Sequence, residues 1–277
     1  MFSVKKWMGV AAVMVAGVSM AGAALAQEST MDRVKRTKEV RIGTVAGAIP
    51  YFSKDLVSGK WEGFGPDFAE SLGKALGAKP VFVETTWGNS VLDLQANKID
   101  LMFAMAPTPQ RMEVVNFSKP LLNNTFTAVC KKGHAPVTTW EQLNKPEAKI
   151  VVDIGSNQDQ FATRALPKAT ISRLESSGAA TMSVQTGRSD CQVLVVLLSQ
   201  PLVAKRPDVG TVYVPTPVET ANTNVGIRKE ANKDFENAIN TWLDDARSKG
   251  EIQSVVLKNM EKLAGVKADA FPKEVKF

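Results

Sequence analysis

Residues 121–133 read LLNNTFTAVCKKG, a long extended run with no helical period. On either side of it, strand-like apolar segments alternate with amphipathic, helix-like segments. A second extended run, ETANTNVGIRK at 219–229, follows the later of these two groups. The chain is therefore predicted to leave one α/β unit along the first run and to return to it along the second.

Both units show the same alternation, which is typical of parallel sheets covered by helices. The first unit has predicted strands at 40–45, 80–85 and 99–105 and predicted helices at 66–77 and 89–97. The second unit has predicted strands at 149–155, 169–174 and 190–196 and predicted helices at about 157–165 and 176–186. A further helix is expected within 232–250, where Gly250 is suited to end it.

This pattern predicts two lobes with an α/β fold. Lobe one comprises 27–122 plus 224–277, and lobe two comprises 123–223. Two crossings between the lobes make a hinge, and the cleft between them is the natural place for a ligand.

The N-terminus resembles a secretory signal. Lys5 and Lys6 precede a long apolar stretch that ends in Ala24-Leu25-Ala26, a small-x-small cleavage pattern. We expect cleavage after Ala26 and a periplasmic location. A second long apolar segment is missing from the sequence, so the mature chain is expected to be soluble.

Composition disfavours nucleic acid as a partner. The chain carries 34 basic and 28 acidic residues, a net charge of +6, without a Lys/Arg run interleaved with aromatic residues.

Cys130 and Cys191 are the only cysteines, and His134 is the only histidine. Their spacing matches no metal motif, so no metal site is expected. A disulfide is possible in an oxidising compartment, but two buried free thiols are the favoured interpretation.

The stretch AMAPTPQRMEVVNFS, residues 104–118, sets Arg111 where small and apolar residues approach a break in the chain. Arg111 is then either an ordinary surface charge or a group that binds an anion. A planar guanidinium meets a carboxylate through two parallel hydrogen bonds, so it suits the second role.

Six segments in order indicate a family. They are GKWEGFGPDFAESLGKALG, TTWGNSVLDLQANKIDLMFAMAPTPQR, VNFSKPL, DIGSNQDQFA, TGRSDCQVLV and NVGIRKEANKDFENAINTWL. From about Val40 to about Lys262 the chain resembles the family 3 extracellular solute-binding proteins, the polar amino-acid receptors of bacterial ABC importers. The resemblance implies the two-lobed type II periplasmic-binding-protein fold. It also implies that Arg111, beside Thr108, clamps the ligand carboxylate.

The resemblance places further ligand contacts on both lobes. On lobe two, Ser156, Asn157 and Gln158 follow Gly155 at a helix N-terminus, whose N–H groups favour an anion. Aromatic walls are expected from Tyr51, Phe52 and Trp87. Ala104 and Ala106 match the cleft-lining turn before the arginine, where relatives often carry hydroxyl groups.

The sequence departs from the family pattern at the position expected to face a ligand ammonium. Relatives that bind amino acids carry an acid five residues after the motif aspartate, here Asp190, but this chain has Val195. Burying an ammonium against valine is costly. Asp153 is a possible replacement, and capping of the next turn is an equally good explanation for it.

The expected function is delivery of a small carboxylate-bearing solute to an ABC permease. The solute is expected to be an amino acid with a neutral or apolar side chain, bound by a monomer without a cofactor. A binder of a non-amino organic acid, a periplasmic dehydratase-like enzyme on the same fold, and a receptor for a sensor kinase remain alternatives. Fold alone does not choose among them.

Overall fold

The computed structural model describes residues 28–270. The predicted signal peptide, residues 1–26, lies outside this range. Among the helices within it, none combines the length and the apolar character that crossing a membrane requires.

The described chain alternates helices and strands along its length. The α-helices are α1 (Thr30–Thr37), α2 (Phe64–Leu76), α3 (Asn89–Gln95), α4 (Pro109–Val114), α5 (Asn157–Ala165), α6 (Ser177–Gln185), α7 (Val196–Lys205), α8 (Asp234–Ser248) and α9 (Glu251–Ala264). The strands are β1 (Glu39–Val45), β2 (Ser53–Lys54), β3 (Trp61–Glu62), β4 (Lys79–Thr85), β5 (Leu101–Met105), β6 (Val115–Lys131), β7 (Lys149–Asp153), β8 (Thr170–Leu174), β9 (Cys191–Val195), β10 (Gly210–Tyr213) and β11 (Thr220–Arg228).

Two groups of parallel strands confirm the predicted α/β architecture. In one group β1 pairs with β4 and β5, and in the other β7 pairs with β8 and β9. The long strands β6 and β11 lie between the groups and add antiparallel pairs at the centre of the order β4-β1-β5-β11-β6-β9-β7-β8. The two extended runs of the sequence are therefore the two crossings.

Strand β6 changes partner part-way along its length. It pairs with β11 from Val115 to Thr125, and with β9 from Phe126 onward. We place the lobe boundary close to this change of partner and retain the division into 27–122 plus 224–277 and 123–223 as a proposal.

In the first group, apolar residues recur with the period of the helix. They therefore lie on one helix face, which packs against the sheet and forms the core. Phe68 and Leu72 of α2 are fully buried, and Gly77 ends the helix in a left-handed conformation. Trp242 of α8 packs edge-on against Phe68 and Phe103, with ring centroids 6.1 and 5.9 Å away. Burying each large apolar side chain contributes about 1.5–3 kcal/mol, so these rings fix α2 and α8 on the sheet.

Helices α1, α4, α7 and α9 were not predicted from the sequence. Helix α4 has six residues and begins with Pro109, so it shows too little periodicity to be recognised. The apolar segment after Val195 continues the strand pattern, yet it forms α7 with Pro201 inside it. The chain therefore turns from strand to helix at Val195, one of the predicted site residues.

The favoured interpretation of two free thiols is wrong, because Cys130 and Cys191 form a disulfide. The two residues are directly opposite each other in the antiparallel β6–β9 pair, a register that no local pattern reveals. Both are fully buried, as expected. The same pairing brings His134 to within 4.8 Å of the sulfur atoms. Because the sulfurs are joined, neither is the thiolate that binds metals.

Candidate functional site

A narrow cavity of about 30 Å³ lies where the two strand groups face each other. Its wall is formed by Tyr51, Trp87, Ala104, Ala106, Arg111, Asn124, Asn157, Gln158, Val195, Leu198 and Thr223. The first group of strands, the second group and the two crossing strands all contribute. We call this space the first cavity.

Eight of the twelve residues predicted for the site line this cavity, and four do not. The four are Phe52, Thr108, Asp153 and Ser156. The sequence interpretation missed Asn124, Leu198 and Thr223. Asn124 and Thr223 lie on β6 and β11, whose extended pattern identified the crossings without indicating which side chains face the cleft.

Arg111 is the only charged residue of the cavity wall. The residue is 5 % exposed, and its guanidinium donates to three backbone carbonyls. Nη1 donates to Ala106 O at 3.3 Å, and Nη2 donates to Trp87 O at 3.2 Å and to Gly155 O at 2.9 Å. The bond to Gly155 joins the two strand groups across the cavity.

These partners are neutral, so the charge of Arg111 has no carboxylate counterpart among the described residues. Burial lowers the pKa of Arg111 to about 10, which still leaves it charged at neutral pH. A buried cation without a counter-ion is costly, and an anion in the cavity offsets that cost. The electrostatics therefore favour an anionic group beside Arg111.

Local structure holds Arg111 in place. The Thr108 hydroxyl caps α4 by accepting from the Arg111 backbone N–H, and Pro109 occupies the first turn. Gln160 Nε2 of α5 donates to the same hydroxyl at 3.1 Å, a second contact across the cavity. Thr108 thus positions the arginine and the facing helix without lining the cavity.

Two residues of the site have a left-handed backbone conformation, and one of them lies where the two walls approach closely. Gly155 has φ +69°, and a Cβ added there would lie 3.2 Å from the Cα of Gly88 across the cleft. Ala104 has φ +59°, a left-handed conformation that costs a non-glycine residue about 1–2 kcal/mol. Such strain is concentrated at binding sites, because their geometry is set by function rather than by local preference.

Helix α5 presents its N-terminus to the cavity through Asn157 and Gln158. Ser156 is the N-cap and accepts from the backbone N–H of Asp159 at 3.1 Å. The Asp159 carboxylate accepts from Gly155 N–H at 3.0 Å and pairs with Arg173 at 2.8 Å. Ser156 therefore caps the helix, and Asn157 and Gln158 are the residues of this turn that reach the cavity.

The aromatic residues divide between wall and core. Tyr51 and Trp87 line the cavity with ring centroids 6.1 Å apart, whereas Phe52 is fully buried behind Trp87. Asn124 Nδ2 donates to the Tyr51 hydroxyl, and burial raises the pKa of Tyr51 well above its usual value. Asn124 Oδ1 is buried and has no hydrogen-bond partner within 28–270.

Asp153 ends β7 and is 7 % exposed. Its Oδ2 accepts from the Ser177 hydroxyl at 2.6 Å, and its Oδ1 has no partner in the described part of the chain. Burial raises the pKa of Asp153 to about 6, and the Ser177 bond opposes that rise. The carboxylate does not form part of the wall of the first cavity.

The family model for bacterial extracellular solute-binding proteins, family 3, matches residues 40–262. The chain belongs to this family. Its fold is accordingly the type II periplasmic-binding-protein fold, with two lobes joined by two crossings. This confirms the resemblance that the six sequence segments indicated.

Relatives of this family 3 protein include binding proteins and an enzyme. Cyclohexadienyl dehydratase of Pseudomonas aeruginosa is 28% identical over 229 residues, which cover 81% of this chain and 84% of the relative. The L-cystine-binding protein TcyJ of Escherichia coli is 26% identical over 251 residues, 90% of this chain and 92% of the relative. The crystal structure of an ancestral amino acid-binding protein, a precursor of cyclohexadienyl dehydratase, is 33% identical. It has a TM-score of 0.74 and covers 86% of this chain and 100% of its own.

Proposed function

We propose that this protein is the periplasmic receptor of an ABC importer for an amino acid with a neutral or apolar side chain. The observation that carries the proposal is the buried Arg111 guanidinium, which faces the cavity between the lobes without a carboxylate partner in 28–270. The α-carboxylate of the solute supplies that partner through two charge-assisted hydrogen bonds.

Closure of the lobes accompanies binding in this proposal. The contacts of Arg111 with Gly155 and of Thr108 with Gln160 join the two sides of the cavity. A cavity of about 30 Å³ is far smaller than a typical ligand pocket, so the lobes must separate to admit a solute. Family membership supports a membrane permease as the partner of the closed form, and we propose that the receptor acts as a monomer.

An amino acid also needs a partner for its ammonium group, and Val195 is not one. Asn124 lines the cavity, and its Oδ1 is buried without a donor among residues 28–270, which costs about 1–3 kcal/mol. An ammonium hydrogen satisfies it. Asp153 is a carboxylate outside the wall, in contact with Ser177. We therefore assign Asn124 to the direct contact and Asp153 to a longer-range role.

A calorimetric comparison of amino acids with their deaminated analogues tests this assignment. We expect amino acids to bind more tightly, because only they carry a donor for Asn124. Replacing Asn124 with leucine should weaken amino-acid binding by about tenfold, the effect of one hydrogen bond to a charged group. Asp153→Asn should weaken it less.

Asn123→Leu is the matched control. Asn123 is exposed, adjacent in β6 and absent from the cavity wall. Tighter binding of only the deaminated acids would show that the solute is a simple organic acid. The carboxylate site at Arg111 would still stand.

A second candidate function is a dehydratase-like reaction. It is favoured by the buried Asp153 carboxyl, whose pKa is raised to about 6, and by the enzyme among the relatives. Proton transfer is most efficient when the pKa of the acid or base lies near the working pH. However, Asp153 does not line the cavity, so it is poorly placed to reach a substrate.

We expect no turnover of a bound amino acid. NMR spectra of the solute, recorded during incubation with stoichiometric and then catalytic amounts of protein, check this. Progressive conversion that is lost in Asp153→Asn and retained in Asp208→Asn, an exposed aspartate elsewhere on lobe two, would make the enzyme the better assignment.

A further inference from the structure

A larger cavity of about 190 Å³ adjoins the first one. Most of its wall is apolar and is formed by Ala48, Ile49, Leu194, Leu198, Pro201 and Leu202. Leu198 lines both cavities, so this side chain lies between the two spaces. We call the larger space the second cavity.

The second cavity lies between the lobes, as the first one does. The loop at 47–49, which follows β1, forms one side, and α6 and α7 form the other. The loop continues to Tyr51 on the wall of the first cavity. An apolar space therefore lies next to the cavity that holds Arg111.

Two cations, Lys205 and Arg206, lie at the end of α7 on the rim of the second cavity. Lys205 is exposed, and Arg206 donates to Gln185 Oε1. Neither forms an ion pair with any residue in the described range. Among the described residues, one carboxylate is hydrogen-bonded to the wall of the same cavity, that of Asp153, which accepts from Ser177. The two cations outnumber it, so the net positive charge repels a solute whose side chain ends in a cation, and solvent partly screens that repulsion.

We propose that the second cavity is the side-chain subsite of the receptor and takes an unbranched apolar chain of several carbons without a cationic end. This inference rests on the proposed function and specifies its solute. It uses the first cavity for the carboxylate and ammonium groups only, which agrees with the small volume of that space.

Calorimetry with L-alanine, L-norleucine and L-lysine tests the subsite in the wild-type protein. Norleucine should bind at least about tenfold more tightly than alanine, because each buried methylene contributes several-fold. Lysine should bind more weakly than norleucine, because its ammonium group meets the cationic rim.

Gly178→Leu is designed to fill the second cavity. Gly178 lies in the first turn of α6 on the cavity wall, and a Cβ there meets only the Ser176 hydroxyl, at 4.0 Å. The variant should lose the advantage of norleucine over alanine and keep the alanine affinity. Ala179→Leu, the exposed neighbour that lines neither cavity, should bind like wild type.

Lys205→Glu tests the charge of the rim at an exposed position, so the core is left unchanged. It should strengthen lysine binding a few-fold relative to norleucine, the scale of an exposed charge pair. Lys132→Glu, an exposed lysine away from both cavities, should leave that ratio unchanged.

The outcomes separate the two proposals. The subsite is refuted if norleucine binds no more tightly than alanine. It is also refuted if norleucine keeps its advantage over alanine in Gly178→Leu. In both cases the carboxylate site still stands. Lysine binding as tightly as norleucine in wild type overturns the role of the rim. Binding of none of the three amino acids overturns both the subsite and the proposed function.

Discussion

Replacing Arg111 with alanine is expected to abolish solute binding while leaving the protein folded. A charge-assisted pair in a closed, desolvated cleft is worth about 2–5 kcal/mol. That loss corresponds to roughly 30- to 4,000-fold in Kd, since about 1.4 kcal/mol is tenfold. Calorimetry with the tightest-binding amino acid measures it directly.

The fold should tolerate this change because Arg111 donates only to carbonyls and has no ion pair in the described chain. Removing a buried, uncompensated cation also removes a desolvation cost. The thermal midpoint of the solute-free variant should therefore match or exceed that of wild type.

Two further variants separate the effect of the Arg111 charge from that of its hydrogen-bond geometry and provide a control. Arg111→Lys keeps the charge but cannot form the two parallel bonds, so an intermediate affinity is expected. Arg188→Ala, an exposed arginine on lobe two outside the cavity wall, should have no effect. Wild-type affinity in Arg111→Ala would refute the carboxylate site.

Removing the disulfide is expected to destabilise the protein by about 4 kcal/mol. Cys130 and Cys191 are 61 residues apart. A cross-link that closes a loop of this length restricts the unfolded chain by about 4 kcal/mol at room temperature in the chain-entropy account. Urea unfolding of Cys130→Ala/Cys191→Ala should show the midpoint shifted to lower urea.

Reductant provides the control for this prediction. Wild-type protein in dithiothreitol should approach the midpoint of the double variant, and the double variant should not respond to reductant. Alanine is preferred to serine here, because both positions are fully buried and a hydroxyl would need a hydrogen-bond partner. Equal midpoints for oxidised and reduced wild type would contradict the stabilising role.

Much of the fold could be predicted from the sequence, because it depends on residues that lie close together in the chain. Helix α2 and strand β1 follow from the spacing of apolar residues, and the long β6 and β11 follow from extended runs without helical period. The segment around Arg111 could also be recognised, because its threonine, proline and arginine lie within four residues of one another. The family comparison over 40–262 agrees with that recognition.

Individual site residues were harder to predict where burial decides their role. Phe52 and Tyr51 are neighbours in sequence, yet Tyr51 lines the cavity and Phe52 packs behind Trp87. Asp153 was recognised as unusual, but its contact with Ser177 and its position outside the wall depend on how α6 packs against β7.

The sequence by itself determined the two alternating α/β units and the two crossings, because periodicity acts over a few residues. It also singled out Arg111 as the candidate for binding an anion, because the motif around it is short. Only the tertiary structure decided that Cys130 meets Cys191, that Asn124 and Thr223 join Arg111, and that a second cavity opens beside Leu198. These arrangements depend on strand register and on how the two lobes face each other. Residues far apart in the chain set both, and no local pattern encodes them.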